Sequence, residues 1–287
     1  ILAFLLAVIL YCVPQVQKTW HGNNHSAAHH EQASARIIIG AAFGVAIAFA
    51  FGHGLVTTKR EWGFSATYGL CCLVPPFLAT PWLTQYLSTT TIAVYFSVIP
   101  LEVLLLSRLF LKTHVTLRKW IGFCLGTLGV LILALGDADK YFTVTGPPLE
   151  WTFLPHIVSI FAALFLAAGG VLIQAMPRMS PISMTASALL SGTVITLPLF
   201  LFNMPSTWPV TSSLIGVLGT GIVATGMGLL LRTILIKRES AIFTATNGYI
   251  VPLYVGALGV LFLGETIMMV SILAYVFIMI GLFVARK

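Results

Sequence analysis

The chain has 287 residues, 58% of them hydrophobic and only 8% charged, and its mean hydropathy is +1.00. A soluble domain carries about 25% charged residues, so water is excluded as the main solvent. The formal charge of +7 would point to nucleic acid in a soluble protein; here it is explained by orientation in a membrane, and no nucleic-acid partner is expected.

Ten apolar spans are predicted in chain order: 1–17, 36–56, 64–86, 89–111, 118–136, 153–175, 182–202, 212–232, 240–263 and 267–285. Each approaches the ~20 residues that cross ~30 Å of hydrocarbon, and none alternates as a barrel strand does. The expected class is an all-α integral membrane protein with ten transmembrane helices. The first span opens at Ile1 and reads as a membrane helix cut at its N-terminus, because no small-residue cleavage pattern follows it. The loop after it, Trp20–Gln32, holds His21, His25, His29 and His30. It is expected to be solvated and to lack a fixed geometry for a metal, so no metal site is assigned. Cys12, Cys71, Cys72 and Cys124 all fall inside apolar spans and read as small packing residues. Pro75, Pro76 and Pro81 are expected to bend or break the third helix just before Trp82.

With the N-terminus in the cytoplasm, twelve of the 15 Lys and Arg residues fall on the cytoplasmic side, from Lys59 and Arg60 through Arg232 to Arg286 and Lys287. Only Lys18, Arg36 and Lys140 fall outside. This bias predicts that both termini are cytoplasmic; the expected location is a bacterial inner (plasma) membrane. Trp20, Trp62, Trp120, Trp151 and Trp208 sit near span ends, where an amphipathic ring prefers the headgroup level.

The stretch Thr89–Gly136 recurs at a single offset of 152 residues. Pro100 and Leu101 fall on Pro252 and Leu253, Leu109–Leu111 on Leu261–Leu263, and Gly129 on Gly281. Two five-helix repeats, 1–142 and 150–287, are therefore expected. Five is odd, so the second enters the membrane upside down, which places a substrate site between the halves near the midplane. Gly40 with Gly44, and Gly122 with Gly126, have Gly-x-x-x-Gly spacing. Close helix packing and the general tolerance of glycine in membrane helices both explain it.

Ser97–Pro100 (SVIP), Tyr249–Pro252 (YIVP) and Leu261–Thr266 (LFLGET) carry a resemblance that covers nearly the whole chain. The sequence resembles the drug/metabolite transporter superfamily, in particular its ten-helix EamA-type members. Members often end the fourth and ninth helices with Gly-Glu; here the second copy has Gly264-Glu265 and the first Lys112-Thr113. The first helix shows Tyr11-Cys12-Val13-Pro14 where the family often has tryptophan. The resemblance implies a secondary transporter that exports amino acids or other small metabolites by alternating access, or one that moves drugs.

Glu102 lies about thirteen residues into its span, near mid-depth at ~1.5 Å per residue. A carboxylate there costs about 2.5–3.5 kcal/mol on insertion scales, so it should face protein or a water-filled cavity. Two roles fit it: binding a substrate amine or exchanging a proton, and a structural carboxyl bonded to a neighbouring helix. Tyr95, Val98 and Glu102 lie at i, i+3 and i+7, and the offset takes them to Asn247, Ile250 and Tyr254. If these faces meet, two tyrosines, an amide and one negative charge suit a small zwitterion or cation with an apolar portion. Packing aromatics give the plainer reading. Trp82, Gln174 in the sixth helix and Gln85 at the outer end of the third complete the expected substrate-binding set.

No His-Glu-x-x-His, Gly-x-x-x-x-Gly-Lys-Ser/Thr or Gly-x-Ser-x-Gly occurs. Neither an enzyme nor a cofactor is expected, and no catalytic residue is named. The expected partners are a small-molecule substrate and the lipid bilayer, with proton coupling open; a drug or organic-cation exporter is the alternative. A membrane enzyme or sensor that moves nothing would need a soluble domain that these loops are too short to hold.

Overall fold

The computed structural model describes residues 25–87, 89–112, 116–138, 153–177, 179–202, 211–245, 257–258, 261 and 269–286. Among them every regular element is helical. In chain order these are α1 (His25–Ala50), α2 (Lys59–Thr67), a π-helical segment (Tyr68–Leu73), α3 (Val74–Leu83), α4 (Thr89–Phe96), α5 (Ile99–Leu111) and α6 (Leu117–Ala138). They continue with α7 (Leu154–Ala175), α8 (Pro181–Phe202), α9 (Thr211–Gly219), a second π-helical segment (Thr220–Met227), α10 (Gly228–Arg238), α11 (Ala241–Ala245) and α12 (Met269–Arg286). Among the described residues six stretches are long and apolar enough to cross a bilayer, and Trp120–Gly129 and Met269–Gly281 are shorter apolar helices. The protein is an all-helical membrane protein. The first predicted span, and most of the ninth beyond Ala245, lie outside the described residues.

Several boundaries depart from expectation. Helix α1 already runs at His25, the first described residue and eleven residues before the predicted span, so much of the expected histidine loop is helix. The polar run there includes Ala27, Ala28, Glu31, Gln32, Ala33 and Ala35, which are good helix formers. From Glu31 to Ile37 the chain is buried without interruption, so these polar groups face protein and not water. Helix α1 stops at Ala50, and Gly52 and Gly54 (φ +70° and +65°) turn the chain out of it. Helix α2 starts five residues early because Thr58 and Glu61 form a reciprocal capping box, with Glu61 N donating to Thr58 Oγ1 and Thr58 N to Glu61 Oε2. The three prolines do not break the third span. A π-helical turn precedes Pro75 and Pro76, and α3 continues through Pro81. The wide turn accommodates the carbonyls that the prolines leave without donors.

Among the described residues two large buried clusters fill the bundle, with a small third one joining Ala35 to Val217. One joins Leu83, Ile92–Phe96 and Leu101 to Ala162, Ala163, Ala274 and Ile278. The other joins Ile37, Tyr68, Phe77 and Val103 to residues of α7, α8 and α10. Large apolar side chains such as Phe110, Phe161, Phe202 and Phe283 point outward, as lipid-facing groups do.

The 152-residue offset reappears in the starts of the two π-helical segments, Tyr68 and Thr220. Contacts between the halves follow it too. A Cβ built on Gly221 meets the Arg36 carbonyl oxygen at 3.2 Å, and one on Gly69 collides with that of Ala188. One on Gly129 meets Ala274 O at 2.7 Å and Ile278, while one on Gly281 meets Gly122 O at 2.5 Å and Gly126 N at 2.8 Å. Each pair of contacts is the other pair shifted by 152 (69 to 221, 36 to 188, 129 to 281, 122 to 274, 126 to 278). Gly40 and Gly126 also sit against neighbouring helices, which favours the packing reading of their spacing.

Candidate functional site

The fourth span is kinked. Helix α4 ends at Phe96, two turn residues follow, and α5 begins at Ile99 with Pro100 in its first turn. Proline fits there because an N–H in the first turn has no intrahelical partner. Tyr95 and Glu102 thus lie on either side of a bend instead of along one straight face. Both are buried, at 1% and 7% exposure, and Val98 is half-buried.

Glu102 follows Leu101, in the first cluster, and precedes Val103, in the second, so it stands where the two clusters meet. Its Oε2 has no hydrogen-bond partner. A buried carboxylate oxygen without a donor is costly to a fold, by about 1–3 kcal/mol or more for a charged group. Such a group is suited to take up a proton or a cationic group.

Tyr95 Oη and His156 Nδ1 share a hydrogen bond of 2.7 Å, with ring centroids 5.7 Å apart. His156 is 2% exposed, on the first turn of α7. Trp82 is half-buried against the cluster that holds Tyr95, and its ring centroid lies 4.8 Å from that of Tyr86. Gln85 is exposed in the turn after α3. Gln174 Oε1 accepts the Ala241 N–H at 2.8 Å, which caps the start of α11. Asn247 and Tyr254 lie outside the described residues. The structure sets Tyr95 and Trp82 at the first cluster, Glu102 between the two clusters, and Gln85 and Gln174 at helix ends.

Two further polar groups escaped the sequence reading. Arg36, expected outside the membrane, is 2% exposed within α1; its guanidinium lies 4.4 Å from the Phe77 ring centroid. Its Nε and Nη1 have no hydrogen-bond partner. Arg232, expected at the cytoplasmic flank, donates through Nη2 to Leu166 O at 2.6 Å and through Nη1 to Tyr68 Oη at 3.4 Å. The signal for Arg232 was present: Gly228–Leu231 and Thr233–Ile236 embed it in apolar chain. For Arg36 the charge rule itself misled, because counting cations by side takes no account of burial within the bundle.

Comparison with known proteins decides the family, which matches residues 1–135 and again residues 154–286. The chain belongs to the EamA-like transporter family. It is similar to an uncharacterized transporter of Archaeoglobus fulgidus, 22% identical over 206 residues that cover 70% of this chain and 69% of that protein. It also shares its fold with a protein of solved crystal structure at a TM-score of 0.69, with 19% identity, across 99% of this chain and 95% of the other. This EamA-like chain is a membrane transporter, and its buried polar groups are to be read as parts of one.

Proposed function

We propose that the protein is a secondary transporter exporting amino acids or similar small metabolites by alternating access. The path runs through a central cavity between two inverted five-helix repeats, residues 1–142 and 150–287, in a bacterial inner membrane with both termini cytoplasmic. The coincident π-helical starts and the exchanged glycine contacts at the 152-residue offset support the repeats, since a two-fold relation makes each contact occur twice. The observation that carries the site is Glu102, a buried carboxylate at the junction of the two clusters with one oxygen unpaired. An ammonium group or a proton would satisfy it. Tyr95 and Trp82 supply nearby aromatic surface for an apolar portion, and Asn247 and Tyr254 are proposed to line the opposite side. Gln174 and Gln85 stand at the ends of the path.

Flux of amino acids in proteoliposomes tests this reading. Glu102→Gln and Tyr254→Ala are each expected to cut it at least tenfold, about the loss of one charged hydrogen bond. If both leave flux of every amino acid unaltered, the site is wrong. The same acidic, aromatic setting favours a second reading, an exporter of drugs or organic cations. Preferential flux of organic cations over amino acids would select it, and dependence of flux on a pH gradient would establish proton coupling.

A further inference from the structure

Two opposite charges are buried in this bundle without satisfying each other. Arg36 is 2% exposed, with Nε and Nη1 unpartnered, and Glu102 is 7% exposed, with Oε2 unpartnered. They border the same core. The Arg36 guanidinium lies over Phe77, and Phe77 belongs to one cluster with Ile37, next to Arg36, and with Val103, next to Glu102. A direct ion pair would have satisfied both groups, as Arg232 is satisfied by Leu166 O and Tyr68 Oη. Buried charges are ordinarily paired, so two unpaired ones of opposite sign at one core call for a third party.

The packing of α1 does not explain the guanidinium. At this position the contact with the second π-helical segment is made by the Arg36 backbone oxygen, against Gly221. The residue 152 positions later, Ala188, makes the corresponding contact with Gly69 and is fully buried. An alanine suffices there for helix approach. The planar fork of an arginine, held over an aromatic ring with two donors free, is a carboxylate receptor.

We infer that Arg36 binds the carboxylate of the transported molecule, so that the substrate class is zwitterionic: a carboxylate held at Arg36 and an ammonium group at Glu102. The inference rests on the transport reading proposed above and narrows it, because an organic cation or neutral drug offers nothing to Arg36. Phe77, already under the guanidinium, places apolar surface beside the carboxylate end.

The probes are L-phenylalanine, L-leucine and their amides, which keep the ammonium group and lose the carboxylate. Binding to the full chain in detergent is read by thermal shift and calorimetry, and flux by counterflow in proteoliposomes. The wild type should prefer each acid to its amide by about ten- to a hundredfold, the range for a charged hydrogen-bonded contact. Arg36→Ala should bring acid and amide within about twofold of each other, and Arg36→Lys should restore part of the preference, a single-point donor being weaker than a fork. Equal treatment of acid and amide by the wild type overturns the inference and needs no variant to fold. Retention of the preference in a monodisperse Arg36→Ala protein overturns it as well. Acid-selective binding that Arg36→Ala abolishes, without any flux, leaves the receptor standing and sinks the transport reading. Flux blind to the carboxylate does the reverse, and absence of both binding and flux rejects the two together.

Discussion

The described residues of 25–138 and 177–286 in this EamA-like chain set their π-helical starts and contact glycines 152 residues apart yet bury different side chains. Where backbones touch, the halves agree: Gly69 has its counterpart in Gly221 and Gly129 in Gly281, and each lies against the opposite half. Where charge is buried, they disagree. Arg36 corresponds to Ala188, and Arg232 to Thr80, whose hydroxyl simply returns to Pro76 O at 2.7 Å. The two arginines also differ from one another. Arg232 ties α10 to α7 and to the first π-helical segment, whereas Arg36 has two donors left over. Positions set by helix approach recur because any side chain there would collide; positions that carry cations are free to diverge, and divergence marks what each half is for.

The sharpest way to break this comparison is to fill a matched glycine. Gly69→Val or Gly281→Val sets carbon against opposing backbone, and each should cost about 3 kcal/mol or more. Gly63→Ala, with nothing within 4 Å, should leave melting in fluorescence-detected size exclusion unchanged. Equal melting of Gly69→Val and Gly63→Ala would mean that the halves do not touch there.

The second test separates the two arginines. Arg232→Ala removes donors from Leu166 O and Tyr68 Oη and should cost about 2–3 kcal/mol of thermal stability. Arg36→Ala should stay within about 1 kcal/mol of wild type, because the lost contact with Phe77 is offset by removing unsatisfied donors. Similar losses in both would make Arg36 a structural cation. Smaller still is Tyr95→Phe, which takes the hydroxyl from His156 Nδ1 and should lower stability by about 1–2 kcal/mol; unchanged melting would show that bond to be idle. The smallest effect is a gain. Lys112 ends α5 with φ +53°, the conformation that suits glycine, and the residue 152 positions on is Gly264. Lys112→Gly should add about 1 kcal/mol, read as a higher melting temperature.

Much of the helical framework was legible from hydrophobicity alone, because an apolar run near twenty residues has few structures open to it in lipid. The starts of α7 and α8 fall within a residue of expectation for that reason. The start of α1 did not, since a polar run shielded by protein looks the same in sequence as one bathed in water. Glu102 was legible as a buried charge, as its depth is a count of residues. The partners of Tyr95 and Arg232 were not: His156 is 61 residues away in the first case, and Leu166 and Tyr68 are 66 and 164 away in the second. Only tertiary packing sets such distances. Lys112 shows a middle case, in which the departure from Gly-Glu was visible and its backbone cause was not.

The two π-helical turns have a mechanical consequence. Each holds one residue more than an α-turn would, and reverting either to α geometry would swing the chain beyond it by about 100° and draw it along by about 1.5 Å. The two turns begin 152 residues apart, one leading into α3 and the other into α10, so each of these helices has its own point at which a residue is taken up or released.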